Sequence, residues 1–444
     1  MIRPGQRVAV VGAGALGLRL AWHLAEAGAS VTVFEAAPEL GGLASSWSVD
    51  TADGPVAWDR YYHVLLESDQ AVRSLLTDLG LDTEVRWTTT GTGYWAEGRV
   101  SPVSSPRDFL RLPGLSLVAK ARLAATLARG MTVRDWRALE RMPVEEWLTR
   151  WSGRRTFAQF WVPLLEAKLG HAWREANAAF IWATIQRLTK ARRAGIGDER
   201  FGAVPGGAGR VLADLGAALR ARDVDVRTGV RVDEIVTAGD GVELQVAGAR
   251  EPFDHAVVTT TPRVAAAMLP GLDPTTADGW RSLRYQGVVC VSLVLTRPLA
   301  PYYLTYLMDD LPFTAVVEMT TLIPPAWVGG HTLVYLPRYV AADDPAFDRA
   351  DADILADFVT GLDRVHPGAA ARVVGSRVAR AREVFPLPVL GYSDRVPPVA
   401  TGLDGVHLVS SAQIVNGTLN LDETIGLADT SAAALLGRPV GSRR

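Results

Sequence analysis

Val8-Ala-Val-Val-Gly-Ala-Gly-Ala-Leu-Gly17 carries an apolar run directly into G-x-G-x-x-G, and the segment that follows reaches an acid at Glu35. The short run Arg7–Val11 has the pattern of a central parallel strand buried on both faces. Gly12 permits the tight turn, Gly14 lets backbone approach a pyrophosphate, and Gly17 lets helix and strand pack closely. A helix is predicted over about 15–27, with Leu16, Leu20, Leu24 and Ala27 on one face and Gly28 ending it. Its N-terminus presents free N–H groups and positive dipole to phosphates. The second strand, about 30–34, ends at Glu35, placed to accept from ribose hydroxyls. Strand, helix, second strand and acid all fall at the spacing of a dinucleotide-binding βαβ unit.

After Glu35 and Ala36 come Gly41-Gly42 and Leu43. This second glycine pair favours FAD over NAD, because the stretch resembles flavoproteins of glutathione-reductase-like topology, in which the pair lies near the FAD ribose and phosphates. The resemblance implies cofactor contacts from Gly12, Gly14, Ala15, Leu16, Gly17, Glu35, Ala36, Gly41, Gly42 and Leu43.

A chain of 444 residues is too long for one simple core. The net charge of −2 gives no electrostatic footprint for nucleic acid. Cys290 is the single cysteine, which excludes an intramolecular disulfide and Cys-rich metal sites and suits a reducing cytoplasm. The seven histidines show no metal-ligand spacing, so no metal is expected. The first strand begins within a few residues of Met1, leaving no signal peptide to expect, and no apolar run reaches the roughly 18 residues of a spanning helix.

Segments of two kinds are interleaved along the chain. Residues 87–99 alternate like strands around a turn expected at Gly91-Thr92-Gly93, and about 105–195 is helical. A glycine-rich loop at 202–209 leads into a helix over 209–220, followed by short strands near 224–227, 230–236, 242–246 and 253–260. Residues 285–295 and 333–336 read as strands of another sheet; 406–410 returns to a buried strand, and a helix runs to 436. The predicted fold is α/β: a glutathione-reductase-like Rossmann FAD domain with an interleaved α+β substrate domain containing a helical insertion. The discontinuous FAD domain takes 1–85, 200–280 and 396–444. The substrate domain takes 86–199 and 281–395.

Four segments resemble the superfamily of flavin amine oxidases, protoporphyrinogen oxidases and phytoene desaturases, which includes UDP-galactopyranose mutase. The first is the N-terminal unit. The second, Trp58-Asp-Arg-Tyr-Tyr-His63-Val-Leu-Leu-Glu-Ser-Asp69, is similar to the mutases' histidine loop beside the flavin. His63 matches the histidine, Tyr61 and Tyr62 replace Gly-Pro, and Leu66 replaces a second histidine. The third, Val232-Asp-Glu-Ile235, resembles the strand whose valine backbone holds adenine, and 254–262 with Thr260 resembles the strand that then passes FAD. In the fourth, Ser410-Ser411 occupy the place of a Gly-Asp pair before the terminal helix Asp422-Glu-Thr-Ile-Gly-Leu-Ala428. The resemblance implies FAD contacts from Val232, Thr260, Ser410, Ser411, Asp422, Thr424 and Ile425, and a flavin-side role for His63. Such a helix stabilises negative charge on reduced flavin through its N-terminal N–H groups, with Asn416, Asn420, Asp422 and Thr424 as polar caps.

Amine oxidases of this superfamily place a lysine near flavin N5. Lys168 and Lys190 lie in the helical insertion and do not match that position. Glu318 and Arg338 bracket the strand-rich part of the substrate domain and are expected at the surface, while Trp136, Trp147, Trp151, Trp161, Trp173 and Trp182 are expected in the core. Residues 109–131 mix Phe109, Leu112, Leu115, Leu123 and Leu127 with Arg111, Lys120, Arg122 and Arg129, the pattern of a helix on the chain's own core or on a bilayer surface. The expectation is a soluble, cytoplasmic enzyme with non-covalent FAD that takes hydride from a C–H bond of a small-molecule metabolite. Alternatives are a redox-neutral nucleotide-sugar mutase and an inactive flavin-binding partner protein.

Overall fold

The computed structural model describes residues 1–103, 108, 111, 114–193 and 200–439, with only the backbone of 188–193. Five parallel strands form one sheet in the order Asp225–Thr228, Ser30–Glu35, Arg7–Val11, His255–Val258, Val406–Leu408. Val8, Ala9 and Val10 are fully buried because the sheet is covered on both faces, so their apolar run needs no alternation. One face receives helices Ala15–Glu26, Gly207–Arg220 and Leu421–Leu435 around Leu18, Leu20, Leu212 and Ile425. The other face packs Ala9, Val11 and Phe34 against the antiparallel sheet Val232–Ala238, Gly241–Val246, Ala249–Phe253 and helix Pro262–Met268.

Arg19, on the cofactor-side helix, is buried and paired to Asp78 at 2.7 Å and Asp429 at 2.8 Å. It thereby ties helix Ala15–Glu26 to helices Gln70–Asp78 and Leu421–Leu435. Removing one partner of such a buried pair costs about 3–5 kcal/mol.

A second, seven-stranded sheet runs Val373–Pro386, Tyr285–Leu295, Thr332–Ala341, Ala315–Glu318, Tyr302–Leu307, Gly91–Ala96, Arg99–Pro102. Tyr285–Leu295 is buried along its whole length. The turn expected at Gly91-Thr92-Gly93 is instead strand. The reversal falls at Glu97 and Gly98, with φ of 54° and 75°, and Gly93 stays a glycine because a Cβ there would lie 2.8 Å from Thr305 Oγ1. Helices Leu117–Thr132, Val144–Ser152, Val162–Leu169 and Ala178–Arg193 make up most of the described helical stretch.

Two placements correct the sequence reading. Glu318 is buried, not superficial. Its carboxylate accepts from Leu299 and Ala300 N–H groups at 3.1 and 3.2 Å, while burial pushes it up to about 7 against those bonds. Trp151 is 38% exposed rather than core, with the Arg129 guanidinium 5.6 Å above its ring. Trp147, Trp161 and Trp173 are buried. Leu117–Thr132 turns Ala119 and Leu123 inward and leaves Leu117, Val118 and Met131 exposed; Phe109 and Leu112 lie outside the described residues. No described helix is long and apolar enough to cross a membrane.

Candidate active site

The glycine loop opens on a cavity of about 1860 Å³. That exceeds the roughly 300–1,000 Å³ of a pocket for one small ligand, and leaves room for a dinucleotide and a second molecule. Gly12 sits at φ 107°, and a Cβ there would lie 2.6 Å from Thr259 Oγ1; at Gly17 it would lie 1.9 Å from the Gly12 carbonyl oxygen. Both glycines are required by close packing. Gly14 differs: at φ −72° and ψ 178° its backbone is ordinary, and an added Cβ would meet nothing within 4 Å. Its missing side chain leaves open space at the N-terminus of helix Ala15–Glu26, the cradle a pyrophosphate needs. Glu35 ends its strand with Oε2 accepting from Ala13 N–H and Oε1 from Ala37 N–H, each at 2.8 Å. The carboxylate is fixed at the cavity wall with lone pairs left for hydroxyls.

The Tyr61-Tyr62-His63 loop is positioned from below by Asp59. Its buried carboxylate accepts from Ala208 and Gly209 N–H groups at 3.0 and 2.8 Å, capping helix Gly207–Arg220, and burial pushes it up to about 7 against those bonds. His63 Nδ1 donates to the Tyr61 carbonyl at 3.0 Å and lies 3.8 Å from Asp59 Oδ2. Burial holds His63 down at about 4, opposed by the Tyr61 bond, so the ring is neutral at pH 7 with Nε2 free to accept. The Tyr62 and Tyr339 hydroxyls meet at 2.9 Å, and Lys168 Nζ sits 3.9 Å from the Tyr339 ring centroid.

The loop before the terminal helix forms another part of the wall. Asn416 and Leu419 hold positive φ of 58° and 45°, and the Asn416 Nδ2 is buried with no partner among the described residues. Asn420 caps helix Leu421–Leu435, its Oδ1 accepting from Glu423 N–H at 3.0 Å. Arg187 donates to the Thr418 hydroxyl beside it.

Of the residues expected at the cofactor, Gly12, Gly14, Ala15, Leu16, Glu35, Gly41, Gly42, Leu43, Thr260, Ser411 and Thr424 line this cavity, and His63 lines it too. Six do not. Gly17 lies under the loop against Gly12. Ala36 is exposed, and Val232 buries its side chain in the core behind the sheet, the contact implied for it being through its backbone. Ser410 is buried and accepts from Ala412 N–H, capping the turn Ser411–Gln413. Ile425 is fully buried in the helix core. Asp422 points away: Oδ1 accepts from Ala71 and Val72 N–H groups at 2.6 and 3.0 Å, capping helix Gln70–Asp78. Sequence reasoning missed Lys168, Tyr62 and Tyr339 as wall residues, along with Trp161 and Arg187. The rarity of lysine was the available signal for Lys168, one of three among 46 basic residues and set between Ala167 and Leu169.

The open cradle at Gly14, the fixed acid at Glu35 and the unpartnered Asn416 Nδ2 on the same cavity wall suit a phosphate-bridged dinucleotide with a polar ring system. Fold and site thus define the class of FAD-binding oxidoreductases built on a glutathione-reductase-like sheet. The model of the family described as flavin containing amine oxidoreductase matches residues 17–420, and the chain belongs to that family. Protoporphyrinogen oxidase 2, chloroplastic/mitochondrial, of Arabidopsis thaliana is 44% identical over 115 residues, 26% of this chain; that stretch spans only 22% of the relative's length. A putrescine oxidase bound to putrescine superposes with a TM-score of 0.74 at 18% identity, over 98% of this chain and 99% of that one. Reduced UDP-galactopyranose mutase superposes at 0.76 and 16% identity, over 97% and 96%. At such identity these structures speak for the fold.

Proposed function

We propose that the protein takes hydride from a C–H bond of a small-molecule metabolite bound over FAD. The observation that carries this reading is the continuity of one cavity from the phosphate cradle at Gly14 to an apolar lobe lined by Leu123, Leu127, Phe160, Leu164 and Phe180. Residues 1–85, 200–280 and 396–444 form the FAD-binding part in this reading, and 86–199 with 281–395 the substrate part. FAD, when bound, supplies the hydride acceptor.

The chain's own residues orient and exclude water. Gly14 and the helix N-terminus hold phosphate, Glu35 accepts from ribose, and Asn420 and Thr424 face the ring end. Neutral His63 offers Nε2 as a hydrogen-bond acceptor next to the reacting region. The apolar lobe desolvates the substrate, which strengthens every polar contact made within it. The test is a screen of metabolite fractions mixed anaerobically with purified oxidised protein. A fraction that bleaches the visible flavin band and yields a product two hydrogens lighter supports the reading. Conversion of a nucleotide-sugar by the reduced protein alone favours the mutase, whose fold this chain shares.

A further inference from the structure

Four charged side chains reach the described cavity wall: Glu35, Lys168, Arg187 and Glu383. The two acids are already engaged. Glu35 accepts two backbone N–H groups, and Glu383 receives the Arg263 guanidinium and the Thr261 hydroxyl. The two bases are not balanced in the same way. Among the described residues neither Lys168 nor Arg187 has a carboxylate within ion-pair distance; Arg187 donates to a hydroxyl and acts on Asp69 only from beyond that distance, and Lys168 lies 3.9 and 5.2 Å from the Tyr339 and Phe385 ring centroids. Lys168 is half-buried on the cavity wall, where burial lowers its pKa, and an ammonium drawn from water without an anion is costly unless a ligand supplies one.

A second observation points the same way. Trp161 lines the cavity, and its buried indole N–H has no acceptor among the described residues. Trp161 closes the π-helical turn Phe157–Trp161, and Lys168 follows two turns later near the end of Val162–Leu169. Single π-turns in helices concentrate at functional sites. This one stretch therefore brings to the cavity wall two donors that have no hydrogen-bond acceptor among the described residues, next to the apolar lobe of Leu123, Leu127, Phe160 and Phe180.

We propose that the substrate of this cavity is an apolar-bodied carboxylate, its carboxylate held by Lys168 and the Trp161 N–H, rather than a protonated amine. The inference rests on the oxidoreductase reading of the site and narrows it. A cationic amine would bring a further positive charge beside Lys168 and Arg187 on a wall whose acids, Glu35 and Glu383, are already engaged, and like charges at close range are strongly disfavoured once water is excluded.

The test uses the purified FAD-loaded protein and calorimetric titration with three probes of one shape: 2-naphthoate, 2-naphthylmethylamine and 2-naphthylmethanol. The carboxylate is expected to bind at least tenfold more tightly than either other probe. Lys168→Met should remove that preference and Lys168→Arg should keep most of it. FAD content is measured on every sample first. A wild-type protein that takes up no FAD would sink the underlying reading. With FAD in place, equal affinities, a preference for the amine, or no detectable binding of 2-naphthoate would overturn the proposal. A Lys168→Met protein that keeps the carboxylate preference, or that loses FAD, would overturn it as well.

Discussion

Gly14→Val should yield a folded protein without its cofactor. The backbone at Gly14 lies at φ −72° and ψ 178°, where valine is comfortable, and the new Cβ meets nothing within 4 Å. The folding cost is that of a poor helix N-cap, about 1 kcal/mol. The space it fills is the phosphate approach to the free N–H groups of helix Ala15–Glu26. Losing two charge-assisted hydrogen bonds there, at about 1.5–3 kcal/mol each, removes about 3–6 kcal/mol of FAD binding. That is a loss of more than a hundredfold in affinity. Gly17→Val is the contrast. Its Cβ would sit 1.9 Å from the Gly12 carbonyl oxygen, so helix and strand must separate and the protein should lose stability outright. The assay is the FAD-to-protein ratio after desalting, with FAD titrated back into stripped protein and a thermal melt beside it. A Gly14→Val protein with full FAD content, or one that melts as early as Gly17→Val, would refute the assignment of the phosphate cradle.

Acid treatment should release all the flavin as intact FAD into the supernatant, since Cys290, the only thiol, is fully buried in strand Tyr285–Leu295; colour retained by the precipitate would contradict this. Asp422→Ala should cost about 1–2 kcal/mol through the lost cap on helix Gln70–Asp78 while FAD content holds; loss of FAD at unchanged stability would return Asp422 to the cofactor site. An unfolded histidine takes up a proton near 6.5, but His63 in the fold only near 4, so unfolding gains a proton between those values and stability falls as pH drops through that window. In His63→Gln the melting temperature should therefore fall less steeply from pH 6.5 to 4, and an identical slope would argue against a buried neutral ring.

The cofactor half of the site is legible because it is backbone chemistry. Gly12, Gly14 and Gly17 each answer a distinct geometric demand within one contiguous segment, so spacing alone carries the meaning. The substrate half is not, because it depends on contacts between distant segments. Asp422 reads as a cap for its own helix, yet it serves residues 350 positions earlier; nothing local distinguishes the two uses. Lys168 reads as a charge within the helical insertion that matches no flavin-side lysine, and only the packing of Tyr339 and Phe385 against it puts it on the cavity wall. Strand Val373–Pro386 escapes notice because it is an edge strand whose arginines at 377, 380 and 382 break the apolar pattern, although its register with Tyr285–Leu295 is continuous apart from two bulges. The displaced turn at 97–98 has a similar cause: Gly93 is glycine for packing, not for bending.

The most direct test compares oxidised and dithionite-reduced protein, both anaerobic, with the same converted metabolite. Hydride removal from a substrate C–H bond requires oxidised flavin. The account predicts that only the oxidised protein turns over, once per flavin, bleaching the visible band and giving a product two hydrogens lighter. Turnover by the reduced protein alone, with a product of unchanged mass and no bleaching of the oxidised form, would contradict it.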